Sequence, residues 1–177
     1  MNLTSLLRTP IPPAQRAEWA EHLARPAASL DESGSVILIF RLGSERFALP
    51  IESVGEIAPA GIVRPLPHGG DGLIRGITNI RGQIRLCLRL ERLLQVVGTP
   101  RDAQTTQTRW LVLAHDGWIV AAGVDEVLGA ESVTAADRQP LPSTHSGSVY
   151  GEAWLEKWEA TLLNAPAFFT GMRQQLR

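Results

Sequence analysis

Asp116-Gly117 stands between two apolar runs, Arg109-Trp110-Leu111-Val112-Leu113-Ala114-His115 before it and Trp118-Ile119-Val120-Ala121-Ala122-Gly123-Val124 after it. A two-residue turn between antiparallel strands needs positive φ at its central positions, which Asp tolerates and Gly adopts freely. The flanking branched, aromatic and aliphatic residues are strand formers. A tight hairpin is therefore expected here, and few other folds accommodate this pattern.

The same punctuation recurs along the chain. Val36-Ile37-Leu38-Ile39-Phe40-Arg41-Leu42 reads as a strand, Gly43-Ser44-Glu45 as a turn, and Arg46-Phe47-Ala48-Leu49-Pro50-Ile51 as the returning strand. Pro50 belongs at a strand end or sheet edge, because it has no N–H to donate. Ile62 to Pro67 is extended and limited by its prolines. His68-Gly69-Gly70-Asp71-Gly72 is a loop. No Lys-Ser or Lys-Thr closes it and no helical pattern follows, so it does not read as a phosphate cradle. Thr99 to Thr108, polar and containing Pro100, is the best flexible loop. Ala130 to Val133 suggests one more short strand, and Asp137 to Ser148 a long polar connection. Turn signals every 8–12 residues or so argue for barrels or a sandwich.

From Leu73 to Leu90, two Arg-Gly pairs, Arg75-Gly76 and Arg81-Gly82, flank a short apolar run. Both glycines sit where close backbone approach or positive φ is needed. Ile84, Leu86, Leu88 and Leu90 alternate with Gln83, Arg85, Cys87 and Arg89, predicting a strand with one apolar face. Leu90 to Gln95 reads as a short helical or turn segment. Near the C-terminus two readings compete. Trp154, Trp158 and Leu162 share helical spacing, whereas Tyr150-Gly151 and Glu156-Lys157 suit a hairpin of strands 149–155 and 158–163. Asn164 and Pro166 then suit the start of a short terminal helix.

These motifs together resemble the CheW family, the coupling proteins of bacterial chemosensory arrays. Gly76-Ile77, Asn79-Ile80-Arg81-Gly82 and the following strand match its signature. The first hairpin followed by Val54-Gly55-Glu56-Ile57 matches its Val-x-Glu-Ile, and Val124-Asp125-Glu126-Val127 its Val-Asp-x-Val. The resemblance covers roughly residues 34–164. It implies an all-β fold of two small SH3-like five-stranded β-barrels sharing a core, and it favours the C-terminal hairpin. A helical N-terminal extension (1–33) precedes a domain of residues 34–166, and 167–177 form a short helical tail. The implied function is that of a non-catalytic adaptor, with partner-binding residues Val54, Glu56, Gly76, Asn79, Arg81, Gly82, Val124 and Asp125. Its partners would be the regulatory domain of a CheA-type histidine kinase and the cytoplasmic tip of a methyl-accepting chemoreceptor, met along a groove between the barrels. The long N-terminal extension is closer to members from pilus-motility or surface-sensing pathways. One departure stands out. The family usually has Pro and then Asp-Leu in the strand after Arg-Gly, where this chain has Leu86 and Arg89-Leu90.

Composition excludes other classes. A chain of 177 residues can bury a real core in one domain or two small ones. Its 17 basic and 18 acidic residues give no global attraction to nucleic acid or anionic membrane. Apolar runs fall far short of the roughly 18 residues of a membrane span, so a cytoplasmic protein without membrane insertion is expected. Cys87 is the only cysteine, and the histidines (His22, His68, His115, His145) lack paired-ligand spacing, so neither metal, cofactor nor nucleophile is expected. The alternative to an adaptor is a nucleic-acid-binding barrel using the arginines between Arg75 and Arg92, although few aromatics lie among them.

Two further expectations concern particular segments. Pro13 suits a first helical position, so residues 14–24 should be helical, either packed loosely or serving as a docking helix. Arg81 and Glu56 each place a charge in an apolar stretch, and a lone desolvated charge is costly. They should therefore pair, half-exposed, at the groove between the barrels.

Overall fold

Strands with apolar residues on both faces must be covered on both faces. Here β1 (Ser35–Leu42), β7 (Arg109–His115) and β8 (Trp118–Val124) are such strands, and they organise the fold. The computed structural model describes residues 34–67, 72–96, 108–142, 145 and 147–176. The expected N-terminal helix, all but Gly72 of the 68–72 loop and nearly all of the 99–108 loop lie outside the described residues.

The remaining strands are β2 (Glu45–Pro50), β3 (Val54–Pro59), β4 (Val63–Arg64), β5 (Ile74–Ile80), β6 (Gln83–Leu88), β9 (Glu126–Val133), β10 (Gly151–Leu155) and β11 (Ala160–Leu163). They form a five-stranded sheet, β10-β11-β2-β1-β9, and a six-stranded one, β3-β7-β8-β6-β5-β4. Pairing is antiparallel except where β11 meets β2 and β6 meets β8. Asp116 and Gly117 take φ of 47° and 75°, the expected turn between β7 and β8.

Three hydrophobic clusters explain the double coverage. Ile37 and Ile39 of β1 point into the first sheet's own core with Ala48, Val133, Leu155 and Leu162. Leu38, Phe40 and Leu42 point the other way, into a larger core shared by both sheets. In β7, Trp110 and Val112 fill the second sheet's own core, while Leu111 and Leu113 join the shared one. Each sheet thus curls round a small private core as a barrel, and the shared core lies between them. This is the two-barrel architecture expected, with β4 as an additional two-residue strand in barrel two.

The C-terminal segment is a hairpin. β10 and β11 pair antiparallel through a 3-10 turn (Glu156–Trp158) and Glu159 in the left-handed region. The helical spacing of Trp158 and Leu162 has a different origin: Trp158 sits in the turn, and Leu162 lies on the inner strand face. Helix α2 (Ala165–Gln175) starts as expected at Asn164, whose Oδ1 accepts the Ala167 N–H at 2.9 Å. It carries Phe168, Phe169 and Met172 into the shared core, so the core does not stop at residue 166.

The alternation across 83–90 departs from expectation. Ile84 is 71% exposed, whereas Cys87 and Leu88 are both fully buried. The strand begins at an open hairpin tip and then runs between two cores. Cys87 enters the core of barrel two and Leu88 the shared one. Leu90 lies beyond the strand in α1 (Leu90–Leu93), whose Leu90 and Leu93 also reach the shared core.

Candidate functional site at the tip of barrel two

The β5–β6 hairpin closes on Arg81 and Gly82, at φ of 49° and 82°. Asn79 fixes this turn: its Oδ1 accepts the Gly82 N–H at 2.8 Å. Gly76, earlier in β5, meets a different demand. A Cβ there would overlap the carbonyl of Arg64 where β4 crosses close to β5, so only glycine fits.

Glu56 reaches the same tip from β3. The register Glu56–Val112–Ala121–Cys87–Gly76 crosses barrel two, and the middle three residues belong to its private core. Glu56 therefore lies on the inner face of barrel two. Arg81 Nε stands 2.7 Å from Glu56 Oε1, with side chains 78% and 27% exposed. Oε1 is buried without an aligned hydrogen bond, so this contact is a charge pair rather than a directed bond. The expected pairing is present. With Glu56 on the inner face and Arg81 in the β5–β6 turn, the pair closes one end of barrel two.

Ile62 and Ile84 complete the surface. Val63 pairs with Thr78 and Asn79 with Ile84, while Thr78 Oγ1 donates to the Ile62 carbonyl at 3.0 Å. This brings Ile62, exposed Asn79 and Ile84 close together, with the isoleucines 82% and 71% exposed. Simple alternation had assigned Ile84 to a core. A better signal lay in its neighbour across the turn, because the residue facing polar Asn79 shares its outward face.

The other candidates lie inside. Val54 packs partly buried against the shared core, and Val124 is fully buried in it. Asp125 is 8% exposed, and its Oδ2 accepts the Gly43 N–H at 2.6 Å and faces Arg41 Nη1 at 3.5 Å. Val124 and Asp125 thus make their contacts inside the protein.

Four of the five arginines from Arg75 to Arg92, all but Arg92, make side-chain contacts among the described residues. Arg89 Nη1 donates to the carbonyls of Gly72 and Ile74 at 2.9 and 2.7 Å, so the family's missing acid is replaced by a clamp on the entry to β5. Arg85 binds Gln83, and Arg75 lies over the Trp110 ring at 6.0 Å. These internal contacts give a nucleic-acid surface no support. Burial pushes the Cys87 thiol up to about 12, too high to supply a thiolate nucleophile at neutral pH. Among the described residues no cluster of potential metal ligands forms, and no helix is long and apolar enough to cross a membrane.

Comparison with known proteins agrees with this geometry. The chain is 34% identical to Protein FrzA of Myxococcus xanthus over 103 residues, covering 58% of this chain and 62% of that protein. It is 31% identical to Chemotaxis protein CheW of Helicobacter pylori over 110 residues, covering 60% and 62%. The chain therefore spans less than two thirds of the length of these curated relatives. The crystal structure of scaffolding protein TtCheW from Thermoanaerobacter tengcongensis shares its fold, with a TM-score of 0.62 at 20% identity over 74% of this chain and 89% of that one. The family model for the CheW-like domain matches residues 36–170, over both barrels and into α2, and the chain belongs to that family.

Proposed function

We propose that this chain is a non-catalytic adaptor that couples methyl-accepting chemoreceptors to a CheA-type histidine kinase, in chemotaxis, pilus-motility or surface-sensing signalling. It acts in the cytoplasm, at membrane-bound receptor arrays. The observation that carries this reading is the barrel-two tip in a chain of this family. Exposed Ile62 and Ile84 flank Asn79 beside the Glu56–Arg81 pair. Apolar groups ringed by polar ones suit a transient protein interface, which an array strengthens by avidity. Glu56, Asn79, Arg81 and Gly82 form or shape that surface. Val54 and Gly76 support barrel two from within, whereas Val124 and Asp125 lie at the seam with barrel one. Residues 34–166 and the helix after them carry the coupling role.

Titration of the purified chain with a kinase regulatory domain, and separately with a receptor-tip fragment, tests this reading. The chain should bind both, and Ile84→Glu should weaken receptor binding by about tenfold, or 1.4 kcal/mol. Binding to neither partner would overturn the reading. Repeating the titrations without residues 1–33 assigns the extension its share.

A further inference from the structure

Among the described residues the chain passes between the two sheets twice. One passage is the 3-10 turn Ile51–Ser53; the other is a single residue, Asp125, between the end of β8 and the start of β9. Asp125 is held from both sides. Towards barrel one, its carboxylate accepts the Gly43 N–H at 2.6 Å in the β1–β2 turn, and its own N–H donates to the Arg41 carbonyl at 3.0 Å. Arg41 Nη1 donates to the Gly43 carbonyl at 2.8 Å, closing the turn around that carboxylate. Towards barrel two, the Asp125 carbonyl accepts the Thr108 hydroxyl at 2.5 Å, just before β7 begins.

We propose that Asp125 is a positioning residue that fixes the angle between the two barrels, and with it the relative placement of the surfaces they offer a partner. The shared core packs the sheets together, and at the one-residue crossing their angle depends further on two soft backbone torsions. Bonds from that residue to both sheets remove this freedom. The carboxylate matters because a charged acceptor makes the stronger bond, and a buried one is costly unless satisfied. The link to partner placement rests on the adaptor reading; the angle itself does not.

The test uses the full chain carrying spin labels at Ser132→Cys on barrel one and Gln83→Cys on barrel two, both exposed positions. Cys87 is fully buried and will not react in the folded protein. Inter-label distances are measured for the parent, Asp125→Asn, Asp125→Ala and Thr108→Val, each at a temperature where Trp fluorescence shows it folded. Asn keeps an acceptor for the Gly43 N–H and should keep a narrow distribution. Ala should broaden it. Thr108→Val should broaden it too, although it leaves the carboxylate untouched. Affinity for the kinase regulatory domain should fall about tenfold in the broadened variants, or 1.4 kcal/mol.

A parent-like distribution in Asp125→Ala, with only a lower melting temperature, would overturn the proposal. If Asp125→Ala does not fold, a parent-like distribution in Thr108→Val does the same. Broadening without loss of affinity would overturn the link to partner placement. A parent that binds no kinase domain counts against the adaptor reading alone, because the distances still decide the angle.

Discussion

The two barrels are built alike and filled differently. The buried cluster of barrel one is built of eight aliphatic residues, Ile37, Ile39, Ala48, Val133, Ala153, Leu155, Ala160 and Leu162. Barrel two closes round one large ring, Trp110, with Ala58, Ile80, Cys87, Val112 and Ala121 about it. It also admits polar groups to its inner face, namely the Glu56 carboxylate, the Thr78 hydroxyl and a buried Trp110 Nε1–H without a partner. A dry core of many aliphatics is tolerant and stable, whereas one centred on a single ring depends on that ring. Barrel one thus anchors the fold, and barrel two shapes a surface.

Removing the ring should separate the barrels most sharply. Trp110→Ala is expected to lose about 3–5 kcal/mol by denaturant titration. Hydrogen exchange should quicken first in β3 to β8 while β10 and β11 stay protected. In the mirror experiment, Leu162→Ala should lose about 2–5 kcal/mol and leave the barrel-two tip unchanged. Uniform exchange in both variants would erase the distinction. Gly76→Ala comes next, at about 1–3 kcal/mol, since a Cβ must displace the Arg64 carbonyl. An unchanged denaturation midpoint would show that barrel two closes more loosely than described.

Glu91 on α1 sharpens the picture at the seam. Burial raises its pKa against the pull of Arg75 and Arg89, and its Oε2 is buried without a hydrogen bond. A raised carboxyl pKa means that the protonated form stabilises the fold. That contribution is full below the unfolded-state value and is lost as pH rises through the folded one. Glu91→Gln should therefore be more stable by ~1 kcal/mol at neutral pH, with the gap in melting temperature closing on acidification. A gap that widens in acid would reverse the assignment. The smallest stability effect belongs to Arg81→Ala, about 0–1 kcal/mol, because Arg81 is largely exposed. Receptor binding should weaken more visibly, and Arg81→Ala with Glu56→Ala should be no worse than either alone. Strictly additive losses would remove the pair from the surface.

What could be read in advance follows the same division. Hairpins at Asp116-Gly117 and Arg81-Gly82 were legible because local sterics dictate them. The Glu56–Arg81 pairing was legible because two lone charges in apolar stretches need each other. Asp125 was not, since its partners, Gly43 and Thr108, are remote in sequence and reveal nothing by composition. Ile84 was misplaced because alternation reports which residues share a face, and only tertiary structure says which face is covered. For β10 and β11, propensity alone favoured a helix. The parallel pairing of β11 with β2 decides for strand, and that contact spans most of the domain.

That parallel pair also bears on the order in which the molecule is made. Barrel two is one continuous stretch, 54–124, whereas barrel one joins β1 and β2 to strands that begin only at Glu126. On the ribosome, the first hairpin must wait for the last before its apolar faces are covered. At ordinary synthesis rates that interval is on the order of ten seconds. Throughout it, Ile37, Ile39 and Phe47 belong to a nascent chain that has no finished barrel to enter. The barrel that anchors the mature fold is therefore the later to close, and its first hairpin stays uncovered until the last has been made.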